Sequence, residues 1–295
     1  MSELSKRVAV AVVAIPIVLG LAYLGGWFLA VPLAAFAGLG AHEVYRLAHE
    51  KGIDPIGWVG VTASVSLVLL AAWRPSFVDY APLALAVVIG TSLVAALEAM
   101  RTRGPDGHPL PAVSVTVFGA IYTGLALGFI PLLLALPGRE AWTASAADPV
   151  APLLIVLLPL AATWIGDASA YFAGTTWGKG RARLAPTVSP NKSWVGFWAS
   201  IAGAAAAAVA WLFIVQGRLP ALAEVGPIWF AVIGAVLGLA AVIGDLLESL
   251  FKREAGVKDS GSLFPGHGGV LDRIDSLVLT IPASYALLIL VASFA

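Results

Sequence analysis

Residues 227–248 read PIWFAVIGAVLGLAAVIGDLLE, an apolar run from Ile228 to Gly244 that ends in two acids, Asp245 and Glu248. No charge interrupts the run. Its length suits a helix crossing the hydrocarbon core of a bilayer, roughly 30 Å thick and needing about 20 apolar residues. Comparable runs lie at 8–24, 26–41, 56–73, 79–98, 114–136, 150–172, 194–215 and 276–294, nine in all. They occupy most of the 295 residues and leave little for a soluble domain. The fold class is therefore an all-α integral membrane protein, a polytopic bundle of about nine transmembrane helices.

Composition agrees. Hydrophobic residues make up 60% and charged residues 12%, against about 45–50% and about 25% in soluble globular chains. So few charges could not cover a water-exposed surface, and disorder or a coiled coil fails for the same reason. The net charge is zero, so no basic field points to nucleic acid. Cysteine is absent, which removes disulfides, thiolate metal sites and thiol nucleophiles. Histidine is scarce, at four residues. A metal would rest on carboxylates, which suits a hard cation such as Mg²⁺, with Mn²⁺ open to the same oxygen ligands.

Lys6 and Arg7 precede the first run like the charged start of a signal peptide, but the run is long and further spans follow, so an uncleaved helix is expected. Nine spans put the termini on opposite sides, and basic residues concentrate on the cytoplasmic side of membrane proteins. With the N-terminus cytoplasmic, the inner segments hold Lys6, Arg7, Arg46, Lys51, Arg101, Arg103, Lys179, Arg181, Arg183, Lys192, Lys252, Arg253, Lys258 and Arg273. Only Arg74, Arg139 and Arg218 fall outside. Residues 1–160 carry the first five spans and the start of the sixth, and 161–295 form the C-terminal catalytic region. Together they are expected to make one integrated membrane domain. The five alanines from Ala204 to Ala208 read as close helix packing.

Two cytoplasmic segments, 163–196 and 244–276, are dense in charge, Gly, Ser and Pro. In the first, Asp167 lies near the inner end of the sixth span, where a carboxylate costs about 2.5–3.5 kcal/mol and so faces protein, water or ligand. Gly178, Lys179, Gly180, Arg181 and Arg183 then make a basic turn, an arrangement that positive-inside anchoring also explains. Ser189, Pro190 and Asn191 stand where helix-capping chemistry is ordinary. In the second segment, Asp245 and Glu248 share a helix face. Arg253, Lys258 and Asp259 lead into Pro265-Gly266-His267-Gly268-Gly269, which neither a helix nor a strand interior would hold. Asp272, Arg273 and Asp275 open the last span, where acids at a helix start are favourable on their own account. Capping needs one acid, however, whereas this stretch interleaves acids, bases and a glycine-rich loop. Phosphoryl or nucleotidyl transfer asks for all three: carboxylates for a metal, cations for phosphate oxygens, and backbone that approaches a phosphate.

Ser249-Leu-Phe-Lys-Arg253, Lys258-Asp259, Pro265-Gly-His-Gly-Gly269 and Asp272-Arg-Ile-Asp275 resemble the signature of the phosphatidate cytidylyltransferase (CDP-diacylglycerol synthase) family. Asp167-Ala-Ser-Ala-Tyr171, Gly174, Gly178, Gly180 and Ser189-Pro190-Asn191-Lys192 resemble its second motif, although Val195 stands where the family usually carries an acid. The resemblance implies metal-dependent transfer of the cytidylyl group of CTP to phosphatidate in phospholipid biosynthesis, releasing pyrophosphate. It implies Asp245 and Asp272 as Mg²⁺ ligands, Asp167 as a third ligand or a carboxylate behind them, and room for a second cation. Lys192, Arg253, Lys258 and Arg273 are candidates for phosphate oxygens, with His267 shaping the nucleotide or pyrophosphate pocket. Ser189, Asn191, Lys192, Gly268, Gly269, Asp259 and Asp275 are candidate substrate-binding residues, although Asp259 and Asp275 could equally orient neighbouring bases. The partners implied are CTP, phosphatidate and the bilayer, with a homodimer open and no nucleic acid. The place implied is the inner (plasma) membrane, with a multi-pass chain and a site facing the cytoplasm. Two other activities fit some of these residues: a CTP-dependent lipid kinase with His267 as base, and an ion-coupled transporter using Asp167 and Asp245.

Because the chain has no cysteine, single cysteines report topology without background. Cysteines placed in the loops around 101–112, 178–192 and 252–272 are expected to resist a membrane-impermeant maleimide in intact cells and to react after permeabilisation. Labelling of any of them from outside overturns the orientation.

Overall fold

The structure is a computed structural model and describes residues 12, 16–138, 148–219, 222, 224–264 and 268–293. Among these residues, seven helices are long and apolar enough to cross a membrane: Gly26–His49, Phe77–Thr102, Pro105–Leu134, Ala151–Trp177, Trp194–Val215, Pro227–Ala255 and Leu271–Ala292. An eighth apolar helix, Gly57–Trp73, is shorter. The protein is thus an all-helical, multi-pass membrane protein. Helices suit lipid because each satisfies its own backbone hydrogen bonds, which no solvent in the bilayer can do. The expected first span falls largely outside the described residues, although 16–24 is helical. Gly25 and Gly26, at φ 60° and 49°, turn the chain between that helix and the next in backbone conformations that favour glycine.

The chain divides into two compact units that interleave in sequence: Met1–Leu132 with Phe251–Ile274, and Leu133–Leu250 with Asp275–Ala295. The first unit contains α1 (Gly26–His49), α2 (Gly57–Trp73), α3 (Phe77–Thr102) and α4 (Pro109–Gly119), which a π turn (Ala120–Leu125) joins to α5 (Ala126–Leu134, as far as Leu132). Several of its buried polar groups pair with one another. Tyr45 Oη donates to the Thr116 carbonyl at 2.8 Å, the Ile56 amide donates to Thr116 Oγ1 at 2.8 Å, and the Ser64 and Thr123 hydroxyls meet at 2.9 Å. The Tyr45 ring occupies the space where side chains on Gly60 and Gly119 would stand, and Gly124 lies against Ser64. Small residues let helices approach closely enough for these bonds to form, which is how helices associate where lipid offers no hydrophobic drive.

In the second unit, α6 (Ala151–Trp177), α7 (Trp194–Val215), α8 (Pro227–Ala255, as far as Leu250) and α9 (Leu277–Ala292) pack by the same rule. Gly166 meets Ser200, Gly203 meets Ser169, and Gly234 and Gly238 meet Ala204 and its neighbours. Ala204, Ala207 and Ala208 are buried, so the alanine run is a packing face, as its composition suggested. Trp211 Nε1 donates to the Leu154 carbonyl at 2.6 Å. Asp148 accepts from the Val150 amide at 2.9 Å and from Arg218 at 2.7 Å. Those two bonds hold its carboxyl below the usual carboxylate range.

Two features differ from the sequence reading. Helices α1, α6 and α8 run past the expected ends at 41, 172 and 248 to His49, Trp177 and Ala255. Apolar runs measure hydrocarbon depth, whereas helical hydrogen bonding continues into the polar boundary wherever propensity allows. The segment after α6 also holds a small antiparallel ribbon, β1 (Arg183–Ala185) with β2 (Ser189–Ser193). Ser189, Pro190 and Asn191 therefore belong to a strand and do not cap a helix. The cap of α7 is Ser193, whose Oγ accepts from the Gly196 amide at 3.1 Å, the usual serine N-cap bond.

A methyl group on Gly238 would stand 2.8 Å from Ala204 Cβ and 3.0 Å from Ile201 Cα, whereas one on Gly90 meets nothing within 4 Å. Gly238→Ala is expected to destabilise by about 1–3 kcal/mol through overpacking, and Gly90→Ala to stabilise by roughly 0.5–1 kcal/mol through helix propensity. Thermal unfolding in detergent measures both. Equal midpoints for the two variants would remove the close-packing account.

Candidate functional site

The polar segments condense into two clusters, one in each unit. In the unit formed by 133–250 and 275–293, α6 carries Asp167, β2 carries Lys192 and α8 carries Asp245. The ribbon brings Lys192 back to α8, where Nζ lies 2.6 Å from Asp245 Oδ2. Ser249, one turn along α8, donates from Oγ to Asp245 Oδ1 at 3.3 Å. Asp167 lies within electrostatic reach of both Asp245 and Lys192, and its side chain keeps an open face. The result is two carboxylates and one ammonium at the polar ends of three elements. Gly244, next to Asp245, abuts the backbone of Asp275 and Ser276 at the start of the last span. Asp275 Oδ1 accepts from the Ser276 amide at 2.6 Å.

The second cluster belongs to the unit formed by 16–132 and 251–274. Lys252 Nζ donates to Asp272 Oδ1 at 2.7 Å, with both side chains largely buried. Asp272 Oδ2 accepts two bonds of 2.8 Å, from the Ser260 and Gly269 amides, and it shares the single proton of the Ser260 hydroxyl, also 2.8 Å away, with Glu43. Gly268 adopts φ 76°, and a side chain there would run into the Asp272 carboxylate. The turn is therefore wound around Asp272. Glu43, on α1, lies behind it and accepts from the Val270 amide at 3.0 Å, the Leu271 amide at 2.8 Å and the Ser260 hydroxyl at 2.8 Å. Arg46, one turn further on, donates to the Ser260 carbonyl.

Among the residues expected from sequence, Lys192, Asp245 and Asp167 come together in the first cluster, and Asp272, Gly268 and Gly269 in the second. Ser189 and Asn191 flank Lys192 on β2. Lys258, Asp259 and Arg273 are exposed. Arg253 donates to the Val257 carbonyl at 3.1 Å, closing the C-terminal end of α8. His267, with Pro265 and Gly266, lies outside the described residues. Lys252, Ser260, Glu43 and Arg46 were not singled out beforehand. Lys252 was within reach of sequence reasoning: Asp245, Glu248 and Lys252 follow one another at helical spacing, and Arg253 falls off that face. Glu43 and Arg46 gave no such signal, because their partners are more than 200 residues away.

An oxygen-only donor set suits a hard cation. Among the described residues, no group of three or more His, Cys, Asp or Glu side chains could hold a metal by itself. Mg²⁺ is ordinarily held by one or two carboxylates, with substrate phosphate and water completing its shell. The pair Asp167 and Asp245 fits that pattern, and Asp272 Oδ1 retains acceptor capacity beyond its bond to Lys252.

The likeness to known proteins extends over the whole of this architecture. Residues 5–291 match the cytidylyltransferase family. The phosphatidate cytidylyltransferase of Synechocystis sp. is 33% identical, and that of Pseudomonas aeruginosa 36%, each alignment covering 97% of this chain and 97% of the relative. A third relative of that name, from Haemophilus influenzae, is 44% identical over 136 residues, 46% of each chain. A match this long takes in both polar clusters and nearly every helix that carries them, and the chain belongs to the cytidylyltransferase family.

Proposed function

We infer that this protein is a phosphatidate cytidylyltransferase, transferring the cytidylyl group of CTP to phosphatidate to give CDP-diacylglycerol and pyrophosphate. The observation that carries this reading is the end-to-end likeness to relatives of that name. The residues are suited to the chemistry. A phosphate oxygen of the lipid attacks the α-phosphorus of CTP, a new P–O bond forms, and the bond to the β-phosphate oxygen breaks as pyrophosphate leaves. A phosphate monoester is already mostly ionised near neutral pH, so no dedicated base is needed. The barrier lies largely in bringing two anions together, which positioned cations lower.

Lys192 is placed to meet substrate phosphate. Asp245 holds its ammonium in position through the 2.6 Å ion pair. Lys252 stands in the same relation to Asp272, and Lys258 and Arg273 offer exposed charge nearby in sequence. Within its unit, the pair Asp245 and Asp167 would hold Mg²⁺, and within the other unit Asp272 keeps Oδ1 as a further oxygen donor. The ion would neutralise phosphate charge as a Lewis acid. Gly268 and Gly269 keep backbone amides close to the Asp272 carboxylate, leaving a turn without side-chain bulk where a nucleotide can approach.

Orientation is part of the same proposal: nine crossings, an internal N-terminus and a site opening to the cytoplasm of the inner membrane, where CTP is available. The distribution of basic residues supports it. So does the 3.0 Å ion pair between Arg103 and Asp54, which puts the loops after α1 and α3 on one face. Crossings by both α2 and α3 would bring those loops together in this way, and the 17 residues of α2 lie at the short end of what spans a bilayer.

With α-labelled CTP, label should enter the lipid product, whereas γ-label should leave as pyrophosphate. Entry of γ-label into lipid would instead mark a kinase. Activity should vanish in EDTA and return with Mg²⁺, and Asp245→Asn should lose several orders of magnitude by losing charge at nearly constant size. Full activity in EDTA or in that variant would end the metal reading. Lys192→Ala should cost at least about tenfold in kcat/KM, within the range for removing one positioned donor. Lys192→Arg should keep part of the activity, since it preserves charge but not compact geometry. Wild-type kinetics in Lys192→Ala would return the residue to membrane anchoring.

A further inference from the structure

Glu43 is a buried carboxylate that no step of the transfer uses. It sits at 7% relative exposure near the polar end of α1. Every hydrogen bond described for it runs to one loop, residues 260–271, more than 200 positions away in sequence. Oε1 accepts from the Val270 amide, and Oε2 accepts from the Leu271 amide and the Ser260 hydroxyl. The loop is shaped to it. Side chains on Gly261 or Gly269 would collide with the Glu43 carboxylate, so both glycines are where the backbone wraps closest. Ser260 links this carboxylate to the next, its Oγ lying 2.8 Å from Glu43 Oε2 and 2.8 Å from Asp272 Oδ2. Arg46 fixes the same residue from its carbonyl side.

We propose that Glu43 is a positioning residue for cytidylyl transfer: it acts through Ser260 and the Gly269–Leu271 backbone to set the Asp272 carboxylate, and it touches neither substrate. The geometry favours this over a role in holding helices together. A residue that served the helix bundle would bond to neighbouring helices, whereas Glu43 spends both oxygens on the loop that carries Asp272. Three donors converge on it, and backbone amides can only donate. Glutamine cannot replace it, because its NH₂ group would face a donor whichever way the amide turned. Aspartate keeps two acceptor oxygens but stands one methylene short. The proposal rests on the reading of Asp272 as part of the reactive site.

The test uses the full-length protein in detergent, with and without a Leu263→Cys reporter on the exposed stretch of the loop. Glu43→Gln is expected to lower kcat by about a hundredfold, the scale of an ångström-sized displacement of a reacting group. The KM for CTP should stay within about threefold of wild type. Size-exclusion profile should be unchanged, maleimide labelling of the reporter should be several-fold faster, and Glu43→Asp should recover part of the rate. Ser260→Ala leaves Glu43 in place and removes only the hydroxyl link, so it should cost roughly tenfold, about the effect of one hydrogen bond. A merely structural role predicts a lower yield of folded protein with normal kcat per folded molecule. Normal kcat and labelling in Glu43→Gln would overturn the proposal, and if that variant does not fold, normal kcat in Ser260→Ala overturns it. Asp272→Asn separates the two ideas. Full turnover there removes the reading of Asp272 and this proposal with it, whereas loss there with Glu43→Gln intact removes this proposal alone.

Discussion

A carboxylate near the end of a membrane helix must find water, a cation or hydrogen-bond donors, because the neighbouring hydrocarbon offers none of them. That requirement organises the polar side of this protein. Asp245 is met by Lys192 on a strand that exists only because the chain turns back as a ribbon. Asp272 is met by Lys252 and by the amides of Ser260 and Gly269, with the Ser260 hydroxyl proton shared with Glu43. Glu43 is met by two amides and a hydroxyl. The loops that look irregular are in large part arrangements of donors around acids.

The apolar side follows a different rule. Without a hydrophobic drive between helices in lipid, association relies on contact and on bonds between small polar groups. The first unit uses Tyr45, Thr116, Ser64 and Thr123 for this. The second uses a seam of glycine, alanine and serine on α6, α7 and α8. The same helices that pack in this way carry the charged groups at their ends, so packing within each unit helps to place them. A site that must distinguish ground state from transition state benefits from such support, because small displacements of positioned charges are costly.

Chemistry and membrane depth then coincide. A lipid phosphate lies at headgroup level and a nucleotide arrives from water. In each unit the polar groups stand at helix ends or in the connections beside them, so charge is kept from the acyl chains. The cation in both ion pairs is lysine, a compact charge on a flexible stem, where arginine would bring a planar fork.

Much of this was legible in the residues alone. Long uncharged runs can only be helices in lipid, since nothing else satisfies the backbone there, so the helical fold and most span positions followed from hydrophobicity. Acids, bases and glycines crowded between Asp245 and Asp275 announced phosphate chemistry, because few other uses need those types together. What local pattern could not supply was pairing. Lys252 and Arg253 are adjacent and chemically alike, and only the direction of the helix face decides that Lys252 reaches Asp272. Ser189 to Ser193 carries capping residues, yet its register against Arg183 to Ala185 makes it a strand with a single cap at Ser193. Glu43 and Arg46 look like ordinary charges at a helix end. Their meaning depends on the return of a loop more than 200 residues later. Hydrophobicity and residue type are properties of a segment and survive in sequence, whereas hydrogen-bond partnership is a property of distance in space, which tertiary structure alone decides.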